Sequence, residues 1–247
     1  MRDGLLVPGD SPVHRLPAHT KVVALIAFAL LVVATPAGAW PAFAAHAALL
    51  GAAVLAARVP WGVVARRSLV EVPFVLFALL LPFVATGPRV ILGPFALSEA
   101  GLTGAGTLLA RVSLGVVAAI LLAATTEPRA LLVGLERLRL PASLVAIAAF
   151  MVRYLHLLVD AAHRQRLARA CRGGRAGGLA AAAGGTATLF LRAYERGERV
   201  QQAMVARGYA GRMPLGDDVA ARPGEWLLAA LLPLGAALVL AAALGAG

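Results

Sequence analysis

The stretch that decides the fold is GLTGAGTLLARVSLGVVAAILLAAT, Gly101–Thr125, in which Arg111 is the one charged residue. About 20 consecutive apolar residues are enough to cross the hydrocarbon core of a bilayer as a helix. The stretch therefore predicts a membrane-spanning helix. Arg111 needs a separate explanation, because a charge at membrane depth is costly and usually faces protein or water.

Composition extends this prediction to the whole chain. Of the 247 residues, 60% are hydrophobic and 14% are charged, and the mean hydropathy is +0.83. A soluble domain usually has about 25% charged residues. We therefore predict an all-α polytopic membrane protein with about five transmembrane helices and two long cytoplasmic helices. Besides Gly101–Thr125, the predicted spans are Val22–Thr35, Trp40–Ala57, Val70–Thr86 and Trp226–Leu244.

The first apolar run has an alternative interpretation. The sequence AGA at Ala37–Ala39 follows it and resembles a signal-peptidase site. However, the polar segment before the run is long, and a second apolar run follows at once. Pro36 and Pro41 bound the link between the two runs, which favours a tight helical hairpin over a cleaved signal.

The positive charges predict the orientation, because cytoplasmic loops of membrane proteins are rich in Lys and Arg. Fifteen arginines lie between Arg129 and Arg222, whereas the segments on the opposite side hold only Arg89. We expect a multi-pass protein of the cell membrane with a cytoplasmic amino terminus. The other cytoplasmic cations would be Arg2, Arg15 and Lys21 at the amino terminus, and Arg58, Arg66 and Arg67 in a loop after the second span.

The region between the fourth and fifth spans is too long and too patterned for a plain loop. We divide the chain into membrane residues 1–126, a cytoplasmic region 127–224 and a last span 225–247, all within one domain. After a short amphipathic helix from Pro128 to Pro141, two long helices are predicted, Ala142–Cys171 and Leu179–Arg207. Each has an apolar first half and a charged second half.

Both long helices end in an arginine followed by glycine. The first end reads LARACRGG, Leu167–Gly174, and the second reads QQAMVARGYAG, Gln201–Gly211. One such end is explained by glycine as a helix terminator and by arginine as a partner for the negative end of the helix dipole. Two matched ends suggest a binding role as well, because an exposed guanidinium can bind a carboxylate through two hydrogen bonds. They predict a two-pronged docking surface for an acidic groove on a partner.

These ends also carry a family resemblance. FLRAYERGERVQQAMVARGYAG, Phe190–Gly211, resembles the second signature of the transmembrane T component of energy-coupling factor (ECF) transporters, of the CbiQ type associated with cobalt and nickel uptake. ARACRGG, Ala168–Gly174, is similar to the first signature, although Cys171 precedes its arginine. TTEPRALLVGLERLRLP, Thr125–Pro141, also resembles the family.

The resemblance implies a non-catalytic coupling subunit. Its partners would be two cytoplasmic ATP-binding-cassette (ABC) ATPase subunits, a small membrane substrate-binding (S) component and membrane lipid. ATP would be bound by the ATPases, with no cofactor in this chain. The implied ATPase-docking residues are Arg172 and Gly173 in the first signature, and Ala206, Arg207 and Gly208 in the second.

The sequence gives little support for ATP hydrolysis, metal binding or nucleic-acid binding by this chain. There is no P-loop for ATP hydrolysis, no tight His or Cys cluster for a metal, and no aromatic-interleaved basic patch for nucleic acid. The alternatives are a T component for vitamin uptake, a stand-alone secondary carrier and a membrane-embedded lipid enzyme. A secondary carrier would be expected to have paired carboxylates at mid-membrane, and a lipid enzyme a recognisable Asp/Glu cluster. The predicted spans show no such pair, and the sequence shows no such cluster.

Overall fold

A computed structural model describes residues 6–86, 88–92, 95–171, 173, 179–211 and 221–245. These residues form ten α-helices and one short β-hairpin, which confirms the predicted all-α polytopic class. The helices are α1 (Pro12–Arg15), α2 (Ala18–Ala34), α3 (Trp40–Ala56), α4 (Trp61–Arg67), α5 (Val72–Val84), α6 (Glu99–Thr125), α7 (Pro128–Arg137), α8 (Ala142–Cys171), α9 (Leu179–Ala206) and α10 (Pro223–Gly245).

Within the described residues, four helical segments are long and apolar enough to cross a membrane: Trp61–Val84, Glu99–Thr125, Ala142–Cys171 and Pro223–Gly245. The first two predicted spans correspond to α2 and α3, which have 17 residues each and are apolar but shorter. By length and composition, α8 thus joins the spanning candidates. Its cytoplasmic position stays a prediction.

The third span begins earlier than predicted. Helical structure starts at Trp61 rather than Val70, so the prediction that Arg66 and Arg67 lie in a loop is wrong: they form the last turn of α4. A 3₁₀ stretch, Ser68–Glu71, then leads into α5. Pro73, in the first turn of α5, explains the irregularity, because proline removes a backbone donor and clashes with the carbonyl four residues earlier.

A β-hairpin that the sequence did not predict links the third and fourth spans. Its strands are β1 (Arg89–Leu92) and β2 (Phe95–Ser98), which pair antiparallel with Arg89 opposite Ser98 and Leu92 opposite Phe95. Ser98 also begins the next element, because its Oγ accepts a hydrogen bond from the Gly101 N–H at 3.3 Å and so caps α6.

The chain divides into two compact units, Met1–Gly134 with Asp218–Gly247, and Leu135–Asp217. In the first unit α2 packs against α10 and α6, and α3 packs against the same two helices. Apolar side chains such as Phe28, Leu50 and Leu121 form its buried core. Helix α5 approaches α6 so closely that a Cβ on Gly101 would lie 2.6 Å from Pro82 Cα, and glycine is therefore required there.

The second unit is built on the two long helices. Their bounds, α8 Ala142–Cys171 and α9 Leu179–Ala206, agree with the prediction to within one residue. The guanidinium of Arg169, near the end of α8, packs on Gly185, near the beginning of α9. A Cβ on that glycine would lie only 3.0 Å from Arg169 Cζ.

Candidate docking site

The end of α9 is a fully formed Schellman motif. Gly208 adopts φ +83° in the left-handed region that favours glycine. The Tyr209 N–H donates to the Met204 carbonyl, and the Gly208 N–H donates to the Val205 carbonyl, both at 3.0 Å. These are the two hydrogen bonds that define this terminator. Arg207 therefore occupies the C-cap position, between the last helical residue and the left-handed glycine.

The end of α8 repeats this geometry as far as the structure describes it. Gly173 has φ +73°, and its N–H donates to the Ala170 carbonyl at 3.1 Å, which corresponds to the Gly208–Val205 bond. The predicted docking residue Arg172 lies outside the described residues. By sequence it is the residue that directly precedes the left-handed glycine, as Arg207 does in α9.

The α9 end suits recognition of an acidic surface. Ala206, Arg207 and Gly208 are all exposed, and Arg207 forms no ion pair with any described residue. The two terminator bonds hold the backbone on both sides of Arg207. A guanidinium on such a base can form charge-assisted, bidentate hydrogen bonds with a carboxylate. The short Ala206 side chain leaves room for a partner surface to approach.

A cavity of about 640 Å³ lies between α8 and α9, within the second unit. Tyr209 and Met204 both line it, and they are the two residues that usually make the hydrophobic contact of a Schellman motif. The α9 terminator and the cavity are thus structurally connected. Three arginines also line the cavity: Arg164, Arg192 and Arg196.

Comparison with known proteins places this chain in a family. The model of the family described as "Cobalt transport protein" (CbiQ) matches residues 9–215, most of the chain. The chain belongs to the CbiQ cobalt transport protein family.

Individual relatives agree with this assignment. The chain is 30% identical over 224 residues to the energy-coupling factor transporter transmembrane protein EcfT of Heliobacterium modesticaldum, with 84% of each chain covered. It is 31% identical to the EcfT protein of Thermanaerovibrio acidaminovorans over 250 residues, which cover 94% of this chain and 90% of the relative. The cobalt transport protein CbiQ of Rhodobacter capsulatus is 33% identical over 177 residues, with 67% of this chain and 68% of the relative covered.

Within this CbiQ-family chain, the structure also explains Arg111. Arg111 Nη2 donates to the carbonyl of Thr35, the C-cap residue of α2, at 2.7 Å. At the other end of the same helix pair, Lys21 Nζ donates to the carbonyl of Thr125 in the last turn of α6 at 2.8 Å. Each helix thus supplies a cation to the negative end of its neighbour. These two contacts, here called the α2–α6 clamps, hold the helices antiparallel.

A further polar contact, which the sequence did not predict, joins the third span to α6. Ser113 Oγ donates to Glu71 Oε2 at 2.7 Å, and Glu71 is buried. The 3₁₀ stretch that ends at Glu71 brings this carboxylate against α6. The only sequence signal was an acidic residue beside an apolar run.

Two further helix ends share the Schellman geometry without the glycine. At the end of α3, Arg58 adopts φ +55°, and at the end of α7, Arg139 adopts φ +60°. The Leu140 N–H donates to the Leu135 carbonyl at 3.3 Å, and the Arg139 N–H donates to the Glu136 carbonyl at 3.0 Å. Here the arginine itself occupies the left-handed position, which sequence patterns do not predict.

Proposed function

We propose that this chain is the transmembrane coupling subunit of an ECF-type ABC importer. It would bind two cytoplasmic ATPase subunits and a small membrane substrate-binding component. The observation that carries this proposal is the shared geometry of two helix ends, at Gly173 and Gly208, each with an arginine one residue earlier. Family membership and the EcfT names of the relatives support it.

The long helices are suited to transmit motion. At 1.5 Å per residue, α8 with 30 residues and α9 with 28 residues are each on the order of 40 Å long. ATP-driven closure of the ATPase pair would move the arginine-bearing ends. The helices would carry that displacement to the membrane, where the substrate-binding component changes position. This chain binds no nucleotide and catalyses no reaction in this scheme.

The proposed orientation follows from the charges. With the amino terminus in the cytoplasm, the arginine-rich region 127–224 faces the ATPases. Arg172 and Arg207 would then dock into acidic grooves on the two partners. The exposed Arg207 on its rigid terminator fits this role, because an unpaired guanidinium loses less on binding than one already in an ion pair.

Cobalt or nickel is the proposed cargo. The description of the matching family and the name of the Rhodobacter capsulatus relative favour a transition metal over a vitamin. Vitamin uptake is the alternative, since the EcfT names specify no cargo. The two cargo assignments can be separated in cells that express the complete complex. The measurement is the uptake of radioactive Co²⁺, radioactive Ni²⁺ and labelled vitamins. Vitamin uptake without metal uptake would overturn the metal assignment.

The docking role is tested by charge reversal. Arg207→Glu should reduce co-purification with the ATPases at least ten-fold, and the double variant with Arg172→Glu should abolish it. The matched control is Arg166→Glu with Arg199→Glu, which reverses one exposed arginine on each of the same helices, more than one turn before the helix end. Normal assembly and uptake in the Arg172/Arg207 double variant would refute the docking role.

A further inference from the structure

The amino-terminal segment, residues 6–17, is bound to the end of α6, although the two are far apart in the chain. The Val7 N–H donates to the carbonyl of Ala124, in the last turn of α6, at 2.9 Å. The side chains of Val7 and Val13 pack against the buried core of the first unit. This segment, here called the amino-terminal strap, is therefore part of the first unit and not a free end.

His14 fixes the shape of the strap. Its Nε2 donates to the Val7 carbonyl at 3.0 Å, and its Nδ1 lies 2.7 Å from Ser11 Oγ. A carbonyl oxygen can only accept, so Nε2 carries a hydrogen, and the buried Ser11 hydroxyl donates to Nδ1 of the neutral ring. Gly9 leaves room for the ring, because a Cβ on it would lie 3.1 Å from His14 Cε1. One imidazole thus ties Val7 to the short helix α1.

Lys21 connects the strap to the link between α6 and α7. Besides the Thr125 carbonyl, Lys21 Nζ donates to the His14 carbonyl at 3.3 Å and to Thr126 Oγ1 at 3.2 Å. Lys21 and Thr126 are each only 5% exposed. All three hydrogens of the ammonium group are therefore used, one on the strap and two at the α6–α7 link. Hydrogen bonds to a charged group contribute more to stability than those between neutral groups.

The second half of α7 is held by the residues that directly follow the strap. Gly134 is buried against Ala18 and His19 at the beginning of α2, and a Cβ on it would lie 2.9 Å from the His19 backbone nitrogen. Helix α7 is thus fixed near its beginning through Lys21 and near its end through Gly134. The chain passes from α6 to the long helices through α7, because α8 follows it at Ala142.

We propose that the amino-terminal strap, together with Lys21, locks α7 onto the first unit and makes it a rigid connection. With the strap bound, α7 moves only together with α2 and α6. A displacement of the long helices then reaches the membrane helices and is not absorbed at the link between α6 and α7. This last consequence rests on the proposed coupling function, whereas the locking of α7 does not.

Hydrogen exchange of the full chain, purified in nanodiscs without ATPases, tests the lock. His14→Phe keeps a ring and removes both ring hydrogen bonds, each of which contributes about five-fold to an equilibrium constant. We expect amide exchange to rise about 25-fold in residues 6–17 and at least about five-fold in α7, because α7 opens together with the strap. If this variant fails to fold, Ser11→Ala, which removes only the hydroxyl, should raise exchange in both regions at least about three-fold.

The matched control lies in the same segment. Asp10→Asn breaks the exposed Asp10–Arg15 ion pair and should change exchange in both regions less than about two-fold. Faster exchange in the strap with unchanged exchange in α7 would overturn the proposal, because the strap would then not hold α7. Equal rises in the His14→Phe and Asp10→Asn chains would overturn it as well, because any change in the segment would then have the same effect.

The consequence for coupling is measured in the complete transporter as uptake per ATP hydrolysed. His14→Phe should lower this ratio at least about three-fold, while co-purification with the ATPases and the rate of ATP hydrolysis stay within about two-fold of the unchanged chain. An unchanged ratio, with exchange in α7 raised, would refute the rigid connection. Failure of the docking proposal gives a different result: the Arg172/Arg207 charge-reversed chain would still assemble, and the exchange result for the strap would stand.

Discussion

Replacing Gly208 tests whether the rigid end of α9 is needed to present Arg207. The residue has φ +83°, and nothing lies within 4 Å of the position that a Cβ would occupy. Steric clash with surrounding atoms is therefore not a factor, and the cost of Gly208→Ala is the backbone strain of a left-handed alanine, about 1–2 kcal/mol. The two terminator hydrogen bonds, each worth about 1 kcal/mol net, are comparable in size.

Since strain and hydrogen bonds nearly balance, Gly208→Ala should populate an unwound end. Because the native and unwound ends would then be about equally populated, and only the native end docks, Gly208→Ala should weaken ATPase binding by about two-fold. Asn tolerates the left-handed region better than Ala, and a β-branched residue tolerates it worst. Binding of the purified ATPases to immobilised chain should thus fall in the order Gly, Asn, Ala, Val at position 208.

A matched glycine on the same helix provides the control. Gly184 is exposed inside α9 and also has open space around its Cβ position, but its conformation is helical. Gly184→Ala should stabilise the helix by about 0.5–1 kcal/mol and leave ATPase affinity unchanged. If the four variants at position 208 bind the ATPases equally well, the rigid terminator has no role in presenting Arg207.

Two further predictions concern stability, measured by thermal unfolding of the purified chain in detergent. Lys21→Met removes one of the α2–α6 clamps and takes away the hydrogen bond to the buried Thr125 carbonyl, so it should destabilise the chain by about 2–3 kcal/mol. Arg15→Met breaks an exposed ion pair that water screens, so it should cost much less. Equal losses would show that burial of the Lys21 contact is irrelevant. Arg139→Gly should raise stability by up to about 1 kcal/mol, because it relieves a left-handed non-glycine residue; a loss would mean that the arginine side chain contributes more than its backbone costs.

The features that could be predicted from the sequence are those set by neighbouring residues. The bounds of α8 and α9 follow from runs of helix formers that stop at Gly173 and Gly208. The apolar stretch of α6 is equally local, because length and composition alone make it a span. In each case the residues that determine the element lie within it or directly after it.

The features that were missed depend on residues far apart in the chain. Lys21 and Thr125 are 104 positions apart, and Arg111 and Thr35 are 76 apart. Their pairing requires that α2 and α6 be adjacent and antiparallel, which hydropathy does not reveal. The 3₁₀ stretch before α5 had a local cause in Pro73, but the apolar run around it concealed where the helix begins.

Among the described residues, the ends of α3, α7 and α9 have both hydrogen bonds of this terminator, and they differ in where the arginine stands. In α3 and α7, Arg58 and Arg139 occupy the left-handed position and accept its strain. In α9 a glycine takes that position, and Arg207 moves to the C-cap one residue earlier. The second arrangement avoids the strain and fixes the backbone on both sides of the arginine. A helix that only needs to stop can use either arrangement, whereas a helix that must present a guanidinium in a defined direction gains from the second. This difference, and not the presence of arginine at a helix end, is what distinguishes the proposed docking end from the other two.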